Sequence, residues 1–279
     1  MAQDNSDQIA YWNGPVGETW AQRQAQMDAA MADISSRLIE AVDPQVGDRI
    51  VDIGCGSGAT TLAYAEAAGE TGAVLGVDVS KPLIRLAKDR AADAGLLARF
   101  IVSDAATHPF ETRSYDLIAS RFGVMFFVDP IAAFTNFQTA LKPDGRLVFV
   151  CWRSVAENPF AKIPLMAGRA AAPQVEGPKP RAPGPFAFAE QDYLAEVLRQ
   201  AGFDASIARL DATFTIGPTA NAAAQQMVEG GFAARFAAEL DDAGVVALRQ
   251  VIEAEYVRFE TSKGVVCPAA CWLVTARPV

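Results

Sequence analysis

Between Gly47 and Trp152 the chain alternates short apolar runs with longer amphipathic ones. The runs 49–53, 74–79, 99–103, 115–120 and 146–152 predict strands, and 59–68, 82–94 and 130–141 predict helices. Short apolar strands separated by helices predict a parallel sheet covered on both faces. Ser80 reads as an N-cap, with Pro82 in the first turn that follows. Lys142-Pro143-Asp144-Gly145 reads as a turn.

The flanking segments follow other patterns. Residues 1–45 hold Tyr11-Trp12-Asn13-Gly14-Pro15, then Trp20 and a helix-like stretch over 19–41. They stand outside the strand–helix series and are expected to pack over one end of it as a lid. In 154–187 the prolines 159, 164, 173, 178, 180, 183 and 185 punctuate the chain, which predicts a loop-rich cap. Beyond it a helix is predicted over 190–201, stopped by Gly202, and a strand over 207–216. An alanine-rich helical insert follows over 221–260, interrupted near Gly230-Gly231 and Gly244, with a last strand over 265–276. The expected organisation is a lid (1–45), a core (46–153), a cap (154–187) and the end of the sheet with its helical insert (188–279).

The candidate chemistry sits where the first strand ends. Asp52 is followed by Gly54, Gly56 and Gly58 at alternate positions, a helix begins at once, and Asp78 closes the next strand 20 residues after Gly58. Strand, glycine turn, helix and a later acid make a nucleoside-binding unit. A dinucleotide loop spaces its glycines G-x-G-x-x-G and presents helix N–H groups to a pyrophosphate. Here the spacing is G-x-G-x-G, and the carboxylate of Asp52 would repel a pyrophosphate. It suits a ligand with an amine or a sulfonium. S-adenosylmethionine has both and no phosphate.

On these residues the chain resembles the class I S-adenosylmethionine-dependent methyltransferases of the small-molecule type. It is most similar to the group that includes ubiquinone/menaquinone C-methyltransferases and natural-product O- and N-methyltransferases. The resemblance implies an α/β fold with a seven-stranded Rossmann-like sheet of order 3-2-1-4-5-7-6, the last strand antiparallel. It implies methyl transfer to an oxygen, nitrogen or carbon of a small molecule by direct in-line displacement, with no metal. The loop Gly54, Cys55, Gly56 and Gly58 would pass under the methionine part, organised by Asp52. Asp78 would hold the ribose, and Val79 would touch the adenine face. Asp104, followed by Ala105, would accept from the adenine amino group. Ser120 and Arg121 would lie near the donor, with the aromatics of 122–127 toward the acceptor. Trp12 and Trp20 would close the lid.

Two rivals stand beside this reading: a nicotinamide-dependent dehydrogenase, disfavoured by Asp52 and the loop spacing, and a non-catalytic regulator that binds the same donor. His108, the one histidine, is the natural general base if the acceptor must lose a proton. Its place beside Asp104 puts it instead on the nucleoside side. The net charge of −9 argues against binding nucleic acid or an anionic membrane. The N-terminus has no cleavable apolar segment, no run is long enough to span a bilayer, and the expected location is the cytoplasm. Cys55, Cys151, Cys267 and Cys271 are too scattered for a zinc framework and read as buried apolar residues.

Overall fold

The computed structural model describes residues 5–177 and 179–279. The first four residues of the lid segment, and Pro178 of the cap, lie outside the described residues.

Four helices come first: α1 (Ser6–Trp12), α2 (Pro15–Gln22), α3 (Gln24–Ala30) and α4 (Ala32–Val42). The alternating core follows as β1 (Arg49–Ile53), α5 (Ala59–Ala68), β2 (Ala73–Asp78), α6 (Lys81–Ala94), β3 (Ala98–Val102), β4 (Tyr115–Arg121), α7 (Pro130–Ala140) and β5 (Leu141–Trp152). Then come α8 (Pro159–Ala171), α9 (Gln191–Gln200), β6 (Phe203–Gly217), α10 (Ala220–Glu229), α11 (Ala234–Ala237), α12 (Asp242–Tyr256), β7 (Glu260–Thr261) and β8 (Gly264–Pro278).

The strands form one sheet in the order β3-β2-β1-β4-β5-β8-β6, with β7 paired to β8. Counting the long strands alone, this is the expected 3-2-1-4-5-7-6. Strands β1 to β5 run parallel, and β8 is antiparallel to both neighbours. The central strands are covered on both faces. Ile50, Val51 and Ile53 of β1, Leu117 to Ala119 of β4 and Leu147 to Cys151 of β5 are all buried. This is why they read as near-continuous apolar runs.

The proline-rich cap is not the loop predicted for 154–187. Its first half is the helix α8, with Pro159 in the first turn and Pro164 inside. Proline is tolerated at a helix start, where its missing N–H has no intrahelical partner anyway. At Pro164 a tertiary contact replaces the lost bond, since the Tyr256 hydroxyl donates to the Phe160 carbonyl at 2.8 Å. The burial of Phe160, Ala161 and Ile163 outweighs the local proline cost.

Three smaller differences have local causes. The stretch 19–41 is not one helix but parts of three, jointed at Arg23 and Met31. The interruption expected near Gly244 falls at 238–241, and Gly244 itself lies in the first turn of α12, where its N–H donates to the capping Asp241 side chain. The turn at 142–145 becomes an outward loop within β5, because Tyr115 pairs with Leu141 but Leu117 pairs with Arg146.

Candidate active site

The C-terminal ends of β1, β2 and β4 converge, as they do in open parallel sheets where ligands bind. Gly54 sits at φ 64° and Gly56 at φ 53°, a region L side chains rarely adopt. At Gly54 the reason is packing: a Cβ there would lie 2.6 Å from the Cα of Gly123, in the turn after β4. At Gly56 a Cβ would meet nothing within 4 Å. The loop is therefore packed on one side and open on the other.

Asp78 frames that open space. Its two oxygens accept from the Gly56 N–H and the Ser80 N–H, both at 2.8 Å. Burial pushes its carboxyl up, and these backbone donors pull it back. Asp52 lies beneath, fully buried. One of its oxygens, Oδ2, accepts from the hydroxyls of Thr60 at 2.7 Å and Thr61 at 2.6 Å, on the first turn of α5. The other, Oδ1, is buried without a partner, and so is the nearby Tyr64 hydroxyl. Desolvation pushes the Asp52 carboxyl up to about 6, against the two threonine bonds and the charge of Arg121.

The N-terminal segment reaches Asp104 and the turn that follows Asp78. Asn5 donates from Nδ2 to both Asp104 oxygens, at 3.0 and 2.9 Å, and its own oxygen accepts from the Val128 N–H at 3.0 Å. Asn13 donates to the Val79 carbonyl and accepts from the Lys81 N–H. The Ser80 hydroxyl donates to the Trp12 carbonyl. Gly17 makes this approach possible, since a Cβ there would collide with that carbonyl at 2.0 Å. Farther along, Arg90 of α6 donates to the Ser57 carbonyl and pairs with Asp28 of α3 at 2.8 Å. Trp12 stands edge-on to Tyr11, Trp20 and Phe126, linking the lid to the turn after β4.

Other expected residues take different places. The Cys55 side chain is buried against Ile84, Ala87, Ala91 and Phe100, so only its backbone faces the loop. The Ser120 hydroxyl is buried and donates to the Ile53 carbonyl at 2.8 Å while accepting from the Gly123 N–H. Ala105 is buried. His108 lies edge-on to Phe110, with Nδ1 3.1 Å from the Ser103 hydroxyl and its carbonyl bonded by Asn136. Burial lowers its pKa. Among the described residues no group of three or more metal-ligating side chains gathers, and no helix is long and apolar enough to cross a membrane.

Beyond β4 and β5 the lining turns aromatic. Phe122, at φ 67°, stacks on Trp152 with centroids 4.2 Å apart, and rings continue through Phe160, Phe214 and Phe232. A cleft of about 380 Å³ lies at the opposite end of the sheet, lined by Arg113, Gln138, Pro143 and Val279 among others, and carries none of these residues.

The segment that supplies the glycine loop, Asp78 and the turn after β4 matches a known family over residues 50–145. That family is described as a methyltransferase domain. The chain is 36% identical to aklanonic acid methyltransferase DauC of Streptomyces sp. (strain C5) over 114 residues, 40% of this chain and 52% of that one. The similarity to nocamycin O-methyltransferase of Saccharothrix syringae is 33% over 181 residues, covering 61% of this chain and 64% of the relative. The chain thus spans about half to two thirds of the length of these relatives. In fold it is similar to a putative methyltransferase from Bacillus halodurans, with TM-score 0.58 and 16% identity over 88% of this chain and 99% of that one.

The glycine loop and Asp78 were legible in sequence as neighbours, but the contacts of the N-terminal segment were not. Asn5, Asn13, Asp28 and Arg90 carry no motif. The one usable signal was the turn chemistry of Asn13-Gly14-Pro15 beside Trp12.

Proposed function

We propose that the protein transfers a methyl group from S-adenosylmethionine to a small-molecule acceptor. One observation carries the reading: the bond from Gly56 to Asp78 makes the glycine loop and the acid face the same open space. Asp78 keeps lone pairs for the ribose hydroxyls beyond those used by Gly56 and Ser80. Asp104 keeps lone pairs for an adenine amino group beside those given to Asn5 and Ala106. Val79 supplies an apolar wall. The unpaired Asp52 oxygen suits a cationic amine. The donor set therefore fits this ligand from end to end.

The bound donor supplies an electrophilic methyl carbon on a sulfonium. The chain's own task is alignment: holding the acceptor atom in line at near-attack distance. Trp12, Trp20 and Phe126 exclude water and offer ring faces to a cation. The aromatic row from Phe122 to Phe232 forms the acceptor side and favours a flat, largely apolar compound. The names of the two relatives, an aklanonic acid methyltransferase and a nocamycin O-methyltransferase, support a small-molecule acceptor. Residues 5–42 act as the lid in this reading, and α8 with the insert α10–α12 as the acceptor-side cap.

Calorimetric titration with S-adenosylmethionine, S-adenosylhomocysteine and NAD tests the proposal. The two sulfur nucleosides should bind and NAD should not. Preference for NAD would overturn it in favour of a dehydrogenase.

A further inference from the structure

Among the described residues, four other than glycine sit at positive φ: Asp43, Arg113, Phe122 and Arg181. Three of them are charged and exposed. Phe122 is apolar and half-buried, and it follows β4 directly, at φ 67° and ψ −9°. An L side chain resists that region, which glycine enters freely. A glycine stands one position later, but for a different reason: a Cβ on Gly123 would lie 2.6 Å from the Ile53 carbonyl oxygen and 2.8 Å from the Gly54 Cα. The chain thus keeps a ring at a position whose backbone favours glycine. Strain of this kind persists only where the surroundings hold it, and it gathers at functional sites.

The surroundings hold Phe122 from one side. Its N–H donates to the Val150 carbonyl of β5 at 3.0 Å. Its ring lies nearly parallel to that of Trp152, with 10° between planes and 4.2 Å between centroids. Trp152 is backed in turn by Phe160 of α8 at 4.7 Å and Phe214 of β6 at 5.8 Å. No second ring stacks on Phe122 among the described residues. The donor loop is one residue away, since Gly123 packs on Gly54. In the sheet order β1 separates β4 and β5 from the strands that carry Asp78 and Asp104, so this ring lies off the adenine side.

We infer that Phe122 sets acceptor specificity by stacking: the face of its ring turned away from Trp152 receives a planar aromatic ring of the acceptor, beside the glycine loop. This role rests on the proposed methyl-transfer reading and adds to it the substrate class and the residue that selects it. An apolar wall alone would take a saturated ring as readily as a flat one. A third ring laid on a parallel pair gains an offset-stacking attraction that a saturated ring lacks. Trp152, wedged between α8 and β6, keeps the platform from turning, so the acceptor meets a surface already in place.

Calorimetry on the protein saturated with S-adenosylhomocysteine tests this with two probes, 2-naphthol and its saturated counterpart decahydro-2-naphthol. Wild-type protein should bind 2-naphthol about 2- to 10-fold more tightly, the worth of one aromatic pair. Phe122→Leu should lose that preference and Phe122→Tyr should keep it, each with S-adenosylhomocysteine affinity within about twofold of wild type, below one aromatic pair. A ring needed only to hold the turn would change stability and donor affinity and leave the ratio of the two probes where it was. Equal affinity for the two probes in the wild type would overturn the platform, and this needs no variant to fold. A preference that survives in Phe122→Leu would overturn the part given to Phe122. Binding of neither probe to the S-adenosylhomocysteine complex would overturn the platform and leave the donor reading standing. Wild-type protein that does not bind S-adenosylhomocysteine would overturn both.

Discussion

The Tyr256 hydroxyl of α12 donates to the Phe160 carbonyl of α8, the acceptor left over because Pro164, four residues on, has no N–H. Both groups are buried, so the bond replaces a missing helix rung without help from water. Tyr256→Phe strands that carbonyl and should cost about 1–3 kcal/mol in urea unfolding. Adding Pro164→Ala should recover much of the loss, because an alanine in place of the proline brings its own N–H to the Phe160 carbonyl. A Tyr256→Phe midpoint equal to wild type would show that the rung carries no net stability.

The same bond shows where reading the sequence stops. Prolines at 159 and 164 carry a local signal for loop, and the partner that outweighs it, Tyr256, is 96 positions from Phe160. Elements whose signal is local were legible: helix 59–68 and strand 49–53 match the structure at both ends. Of the cleft, the acid Asp78 and the glycines were legible because their spacing is local to one strand–turn–helix unit. Asn5 was not, because its bonds to Asp104 and Val128 span 99 and 123 positions and leave no periodic trace. The orphaned oxygen of Asp52 is likewise a property of packing alone.

Asp78 should matter to every ligand that carries the ribose. Asp78→Ala removes a charged acceptor and should weaken S-adenosylmethionine by about 1.5–3 kcal/mol. 5′-Methylthioadenosine, which keeps the ribose and lacks the amino-acid tail, should weaken equally. Calorimetry showing either ligand bound within about twofold of wild type would detach Asp78 from the ribose, since one charged bond is worth more than that.

Asp52 should give binding a pH dependence. Burial raises its carboxyl from 3.8 to about 6. Between those values the folded chain holds a proton the unfolded chain has lost. This group's contribution to stability is therefore greatest at the acid end and declines as pH rises through the window. An ammonium partner favours the ionised form, so donor affinity should change in the opposite sense, strengthening as pH climbs through about 6. Asp52→Asn should flatten the profile. Titrations at about pH 5 and about pH 7.5, on either side of the raised value, check the sign for affinity, and urea unfolding at about pH 4 and about pH 6.5 checks the sign for stability. An unchanged slope in the variant would assign the titration to another group.

Asn5 should latch the lid. Its amide makes bonds to both Asp104 and Val128. Asn5→Ala should free α1 and α2 while leaving the sheet intact. In hydrogen exchange, amides of residues 6–22 should lose protection and those of β1 and β4 should keep it. Donor release should quicken in stopped-flow traces of tryptophan fluorescence, since Trp12 rides on the same segment. Protection unchanged over α1 and α2 would show that Trp12 and Asn13 hold the lid without Asn5.

His108 should not be the catalytic base. Its ring packs against Phe110, its Nδ1 faces Ser103, and its carbonyl is tied to α7 through Asn136. All of these lie on the Asp104 side of the sheet, away from Phe122 and Trp152. Burial lowers its pKa, and its ring could take a proton only from a group that reaches it. A required base is worth about 10²–10⁴ in rate. His108→Ala should lose less than about tenfold at saturating donor, below the range of a required base, and should keep its pH profile. A loss above about a hundredfold, with a titration near neutrality gone, would make His108 the base. The expected mild effect leaves alignment and water exclusion as the protein's main contributions to the rate. It also requires an acceptor that arrives ionised or loses its proton to water, consistent with an aromatic wall beyond β4 that holds no second imidazole.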